Sequence, residues 1–224
     1  DMGFMPDIKR ILKHIPTPKQ TLCFSATMPP AIEKLTAQIL RKPIKIALQR
    51  KAAPAKGVTQ ALYPVPASLK GALLTELFLK GQIQEALVFT RTKHRAKRMA
   101  LQLEKQGLRA VALQGNMSQP QRDRAMKGFR EGRFDILVAT DIAARGLDVA
   151  GVDYVINFDP PSSPETYTHR IGRTGRSEAS GKACTFVTNG DRAWGRDTER
   201  VLGSPIALRK YPGFEIDRSE PSTC

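Results

Sequence analysis

Residues 169–176, HRIGRTGR, hold three arginines and a histidine within eight positions, with glycines at 172 and 175. Arginine stays charged at any physiological pH and forks onto phosphate oxygens through paired N–H donors. If YTHRIGRTGR begins as a helix, Arg170 and Arg173 fall on one side of it, and Gly175 releases the chain before Arg176. Arg173 and Arg176 can then reach one point from two directions. A pair of cations on a transferring phosphate stabilises the charge of its transition state, an effect of about 10³–10⁵ in rate, or ~4–7 kcal/mol. The competing reading is a basic loop or localisation-type patch. Two glycines would be costly on a merely solvated helix, which argues against it.

Three other stretches suit a phosphate-rich ligand. In ATDIAARGLDV (139–149), Thr140 offers a hydroxyl, Gly146 allows close approach to the backbone, and Asp148 can accept from ribose hydroxyls. The plain alternative is a strand-to-helix turn capped by Asp148. In QGNMSQPQR (114–122), Gly115 and a helix start at Ser118 present backbone N–H groups to an anion, and Gln119 and Arg122 lie three apart on that helix, facing the same way. An ordinary capped helix would look similar. The helix from Lys93 carries Lys93, Arg95, Lys97 and Arg98, either a solvated face or a surface that tracks phosphates. A phosphate-binding G-x-x-x-x-G-K-[ST] loop is not found. GRSEASGKA (175–183) has one residue too many between its glycines, and Ala183 stands where the metal-binding hydroxyl belongs. No carboxylate motif for Mg²⁺ stands out, so the residues amount to half of an ATPase site.

These stretches must be held in place by a regular frame. Apolar runs at 59–65, 85–90, 109–113, 135–140, 153–158 and 182–187 read as strands. Between the second and third, Ala96, Met99, Ala100 and Leu103 form a helical stripe that stops at Gly107. The next helix opens on SQPQ, with Ser118 and Gln121 spaced as a capping box, and Gly132 closes it. Strands alternating with helices, each strand apolar almost throughout, predict an α/β fold: a mostly parallel sheet with helices on both faces. Ligands bind such sheets at the carboxyl ends of the strands, so the polar segments after 90, 113, 140 and 158 are expected to converge on one edge.

The first 48 residues differ. Ile8, Ile11, Leu12 and Ile15 share one helical face, as do Ile32, Leu35 and Ile39. Both faces are expected to be poorly covered unless another chain or the second domain covers them, since the sheet they would pack against is missing from these residues. TLCFSAT (21–27) and KPIKIAL (42–48) read as strands. QRKAAPAKG has no hydrophobic period and reads as a linker. The predicted organisation is a partial domain over 1–48, a linker over 49–57, a second domain over 58–210 and a tail over 211–224. The chain opens directly on DMGFMPDIKR, without a leader-like segment, and reads as if it began inside a domain.

The chain has 36 Lys and Arg against 21 Asp and Glu among 224 residues, a net charge of +15 that favours a polyanionic partner such as nucleic acid. No apolar run approaches the ~20 residues of a membrane span. Cys23, Cys184 and Cys224 are few and scattered, forming neither a disulfide framework nor a zinc site, which suits a reducing cytoplasm.

The order SAT (25–27), LVFTRT (87–92), QGNMSQPQR, LVATDIAARGLDV (137–149) and YTHRIGRTGR (167–176) resembles the DEAD-box ATP-dependent RNA helicases, bacterial members above all. The resemblance runs from residue 1 to about 210 and implies a RecA-like C-terminal helicase domain preceded by the end of a first RecA-like domain. ATP is then the nucleotide and single-stranded RNA the partner, with no membrane role. The phosphate-binding loop, the DEAD carboxylates and most of the Mg²⁺ ligands would belong to the remaining N-terminal half of domain 1. The resemblance implies that Ser25 and Thr27 couple hydrolysis to strand separation, and that His169 and Arg170 bridge to domain 1. Gly115, Gln119, Arg122 and Thr140 would contact the RNA backbone, and Gly146 and Asp148 would lie near the ATP ribose. Arg173 and Arg176 would be the arginine fingers. The family's usual His-Gly-Asp is replaced by Gln114, Gly115 and Asn116. Without the other half of the site, the isolated chain could serve instead as a non-catalytic RNA-binding module; a DNA-directed helicase is disfavoured by SAT together with HRIGRTGR.

Overall fold

The computed structural model describes residues 5–25, 28, 30–46, 57–144, 151–175, 180–211 and 214. The chain divides into two compact units, 1–49 and 50–224.

In the first unit, α1 (Met5–His14) and α2 (Pro30–Ile39) form where the apolar spacing predicts them. Their apolar faces are poorly covered, as expected: Ile8, Leu12, Ile32, Leu35 and Ile39 are only partly buried. No residue of α1 is buried, Ile11 is 62% exposed, and Ile15 lies past the helix end at 42%. The two expected strands are absent: residues 21–25 and 42–46 carry no strand, and Leu22, Phe24, Ile44 and Ile46 are exposed. A strand needs a neighbour for its N–H and C=O groups. Among the described residues of this unit there is none.

The second unit is a seven-stranded sheet. Its strands are β1 (Val58–Pro64), β2 (Ala86–Phe89), β3 (Ala110–Leu113), β4 (Ile136–Ala139), β5 (Tyr154–Asn157), β6 (Gly181–Val187) and β7 (Ala207–Leu208). The order is β3-β4-β2-β5-β6-β1-β7, and every pairing is parallel. The helices are α3 (Lys70–Leu79), α4 (Lys93–Lys105), α5 (Gln119–Arg130), α6 (Asp141–Ala144), α7 (Pro164–Ile171) and α8 (Arg192–Leu202).

The six strands expected from sequence all form, each within a residue of its expected ends; β7, only two residues long, carries too little pattern to announce itself. Each central strand is apolar throughout because it feeds two cores. In β2, Ala86 and Val88 join α3 and α4 on one face, while Leu87 and Phe89 join α5, α6, α7 and α8 on the other. The α4 stripe Ala96, Met99, Ala100 and Leu103 is buried as predicted. Thr92 caps α4 by accepting from Arg95 N at 3.2 Å, and Gly107 follows with φ +81°. In α5, Gln121 Oε1 reaches back to accept from Ser118 N at 2.9 Å.

Candidate functional site

β3, β4, β2 and β5 are consecutive in the sheet and parallel, so the four polar segments that follow them share one edge, as expected. That edge is tied together around Arg170 of α7. Its guanidinium is 3% exposed and donates through Nε and Nη2 to Asp141 Oδ1 and Oδ2, at 2.7 and 2.8 Å. Nη1 donates to Asn157 Oδ1 at 3.0 Å and to Asp159 O at 2.8 Å, and the group lies 4.8 Å from the Phe89 ring centroid. One side chain of α7 thus joins the ends of β2, β4 and β5. A buried cation is tolerable when its donors are satisfied in this way, and costly when they are not.

Asp159 extends the network. Its carboxylate accepts from Arg91 N at 2.8 Å and from Arg95 Nη1 at 2.5 Å. On the far side, Lys70 is 5% exposed and its Nζ donates to Phe158 O at 3.2 Å and Phe186 O at 2.8 Å, pinning the ends of β5 and β6. Burial pushes its ammonium below the ordinary lysine range.

A cleft of about 310 Å³ opens at this edge, lined by Phe89, Asp141, Ala144, Thr166, His169, Arg170 and Arg173. Arg170 and Arg173 do line one space, although α7 ends at Ile171 and Arg173 stands in the turn beyond it, and the two are in different states. Arg170 forms the buried wall; Arg173 is half-buried and His169 is exposed. α7 is positioned for this by Ser163, whose Oγ accepts from Thr166 N at 3.2 Å, and by Pro164 in its first turn. The chain then turns at Gly175, whose φ is +68° and where a Cβ would come within 2.6 Å of Val58 Cγ2. The glycine expected to free an arginine therefore also serves packing against β1.

The remaining described residues singled out in the second unit lie in the segments that follow β3 and β4. Thr140 is buried directly after β4, and its carbonyl accepts from Ala144 N at 2.9 Å. Gly115 is exposed with open space where a Cβ would stand. The turn is less of an empty cradle than its sequence suggests: Asn116 N donates to Gln114 Oε1, Met117 N to Gln114 O, and Ser118 N to Gln121 Oε1. Gln119 and Arg122 share α5 but no partner. Gln119 Nε2 donates to Asp123 at 2.8 Å, whereas Arg122 Nη2 donates to Ala143 O at 3.1 Å. Ser25 is exposed, outside any helix or strand. Thr27, Gly146, Asp148 and Arg176, the 49–57 linker save Gly57, and most of the tail lie outside the described residues.

Residues 69–178 match the helicase conserved C-terminal domain family. The chain is 43% identical over 223 residues to the DEAD-box ATP-dependent RNA helicase CshA of Geobacillus kaustophilus, covering 100% of this chain and 46% of that protein. It is 43% identical over 214 residues to the ATP-dependent RNA helicase DeaD of Mycobacterium tuberculosis, covering 96% and 38%. The solved E. coli DEAD-box protein SrmB, bound to regulator of ribonuclease activity A, matches at 36% identity and a TM-score of 0.65, over 75% of this chain and 96% of that one. S. cerevisiae Dbp5 bound to RNA and ADP BeF3 matches at 28% identity and a TM-score of 0.79, over 94% and 56%.

The chain belongs to the DEAD-box RNA helicases. It spans less than half the length of the two curated relatives, and its second unit has the RecA-like fold of their C-terminal domains.

Several residues that organise this DEAD-box domain carry no obvious sequence signal of chemistry: Asp141, Asn157, Asp159, Phe89 and Lys70. Asp141 and Asp159 could have been found by one clue. Each is a carboxylate one or two positions beyond an apolar strand, in a chain rich in arginine. Among the described residues no group of three or more His, Cys, Asp or Glu gathers as a metal site, and no helix is long and apolar enough to cross a membrane.

Proposed function

We propose that this chain forms part of a cytoplasmic RNA helicase in which ATP hydrolysis drives local separation of RNA duplexes. Residues 58–210 act as its C-terminal helicase domain, and residues 1–48 belong to the first. The observation that carries the proposal is the cleft at the carboxyl edge of the sheet, where Arg173 and His169 stand beside a buried Arg170 already committed to its own domain. The cleft's cationic lining fits the phosphates of ATP. Arg173, with Arg176, acts there as an arginine finger on a nucleotide whose phosphate loop and Mg²⁺ ligands come from the other half of domain 1. Gly146 and Asp148 stand near its ribose. Gly115, Gln119, Arg122 and Thr140 hold the RNA backbone, Ser25 and Thr27 couple hydrolysis to strand separation, and His169 and Arg170 serve the domain junction, Arg170 by holding α7 in place.

The test joins this chain to the N-terminal part of CshA and measures phosphate release with ATP, Mg²⁺ and single-stranded RNA. Arg173→Ala lowers turnover by about 10³-fold or more, while RNA affinity without nucleotide barely changes. Arg122→Ala does the reverse, weakening RNA binding and reducing its salt slope by about one phosphate contact. Equal loss of RNA affinity in both variants, with full hydrolysis at saturating RNA, would make the arginine cluster an RNA patch and overturn the assignment. The 224-residue chain alone releases phosphate only at background; robust RNA-stimulated turnover by it would sink the half-site reading.

A further inference from the structure

A second cavity, of about 560 Å³, lies along the edge of the sheet beside β3. β3 stands first in the strand order, with β4 on one side and no described strand on the other. Val111 and Ala112 are only partly buried there, while their β4 partners Leu137 and Val138 are fully enclosed. The floor is largely apolar, completed by Met117, Ala125 and Phe134, with the amides of Gln114, Asn116 and Gln121 also in the lining. The rim is basic: Lys93, His94 and Lys97 stand on the α4 side and Arg124 on the α5 side, and no Asp or Glu among the described residues lines the groove. Lys93 is held by Asn116 Oδ1 at 2.9 Å. Lys97 and Arg124 form no ion pair among the described residues. The helicase reading leaves both of them unemployed.

We propose that this groove binds an extended acidic segment of a partner protein, which adds to the sheet as an eighth strand beside β3. An edge strand offers its outward N–H and C=O groups to any extended chain, and neighbouring pockets then select side chains. Residues of an added strand alternate between the two walls. Both walls here carry cations above an apolar floor, so acidic and aliphatic residues are selected on both faces. Net charge complementarity guides the encounter and rejects basic segments. A nucleic-acid strand would use the same cations, but neither the strand edge nor the apolar floor. That is why a peptide is the better occupant. The four residues of β3 allow a contact of roughly 13 Å, at ~3.3 Å per residue, so the segment is short.

The test uses the 224-residue chain and a fluorescein-labelled octapeptide, Glu-Glu-Val-Val-Glu-Glu-Val-Val, read by fluorescence anisotropy. The expected result is saturable binding that weakens with salt and falls about tenfold or more in a chain carrying Lys97→Glu and Arg124→Glu. Circular dichroism checks that this variant is folded; if it is not, Lys97→Ala with Arg124→Ala must still weaken binding. At saturation the amides of β3 gain protection from hydrogen exchange. Equal binding of Lys-Lys-Val-Val-Lys-Lys-Val-Val, or of the acidic peptide N-methylated at alternate residues, would overturn the proposal, since charge or ladder would then be irrelevant. Displacement of the peptide by a decauridine that protects the same β3 amides would overturn it too, and make the groove an RNA surface.

Discussion

Each unit contains an Arg–Asp ion pair of similar length, and the two differ in burial and in the partners around them. In the first unit Arg10 bonds Asp7 at 2.5 Å, with the two side chains 71% and 55% exposed. In the second, Arg170 bonds Asp141 bidentately, 3% and 32% exposed. The first pair exchanges water for a partner of similar value and adds little. The second has exchanged water for four defined acceptor atoms and an aromatic face, so its geometry is enforced. The same contrast holds for apolar residues. Phe24 is 90% exposed, whereas Phe89 is 2% exposed between strands and helices. Residue type does not decide which becomes structural. The presence of neighbours does.

The largest consequence of that contrast is in local opening. Strand amides of β2 and β4 are expected to exchange at least about 10³-fold more slowly than those of α1 and α2, since protection rises with the apolar surface that an opening must bring into water. Mass-spectrometric hydrogen exchange reads this directly. Equal, strong protection in a proven monomer would show that the first unit is covered after all.

Next in size is Arg170→Met. It leaves Asp141, Asn157 and Asp159 O without their donor, and a loss of about 3–5 kcal/mol is expected for a broken buried pair, towards the lower end because Asp141 is partly solvated. Trp194, the chain's one tryptophan, packs edge-on against Tyr167 at 5.6 Å between ring centroids, so its fluorescence follows the second unit alone during denaturation. Gly175→Ala combines left-handed backbone with a clash against Val58, and about 2–3 kcal/mol is expected in the same assay.

The smallest effects separate the units just as well. Cys184 is buried and its thiol is pushed above the ordinary range by loss of solvation, while Cys23 is exposed. Iodoacetamide should therefore modify the peptide containing Cys23 under native conditions and the one containing Cys184 only on unfolding. Arg10→Ala should alter stability by no more than about 0.5 kcal/mol. A larger loss would mean that this pair is not the solvated contact its exposure implies.

Periodicity alone was enough for the six main strands of the second unit, the α4 stripe, the capping residues of α5 and the convergence of four polar loops, because each rests on neighbours in sequence or on the rule that parallel strands share an end. Residue type and spacing also singled out Arg173, and the family resemblance added His169. They could not tell that Arg170 is a buried strut rather than a reaching cation, since that depends on Asp141, Asn157 and Asp159, which lie up to 29 positions away. Nor could they tell that Gly175 answers to Val58, or that 21–25 and 42–46 would remain unpaired. Helices satisfy their backbone within one segment, so α1 and α2 form with their apolar faces only partly covered. Strands satisfy theirs only across segments, so the same kind of apolar run became β4 beside β2 and stayed irregular where no partner strand was at hand.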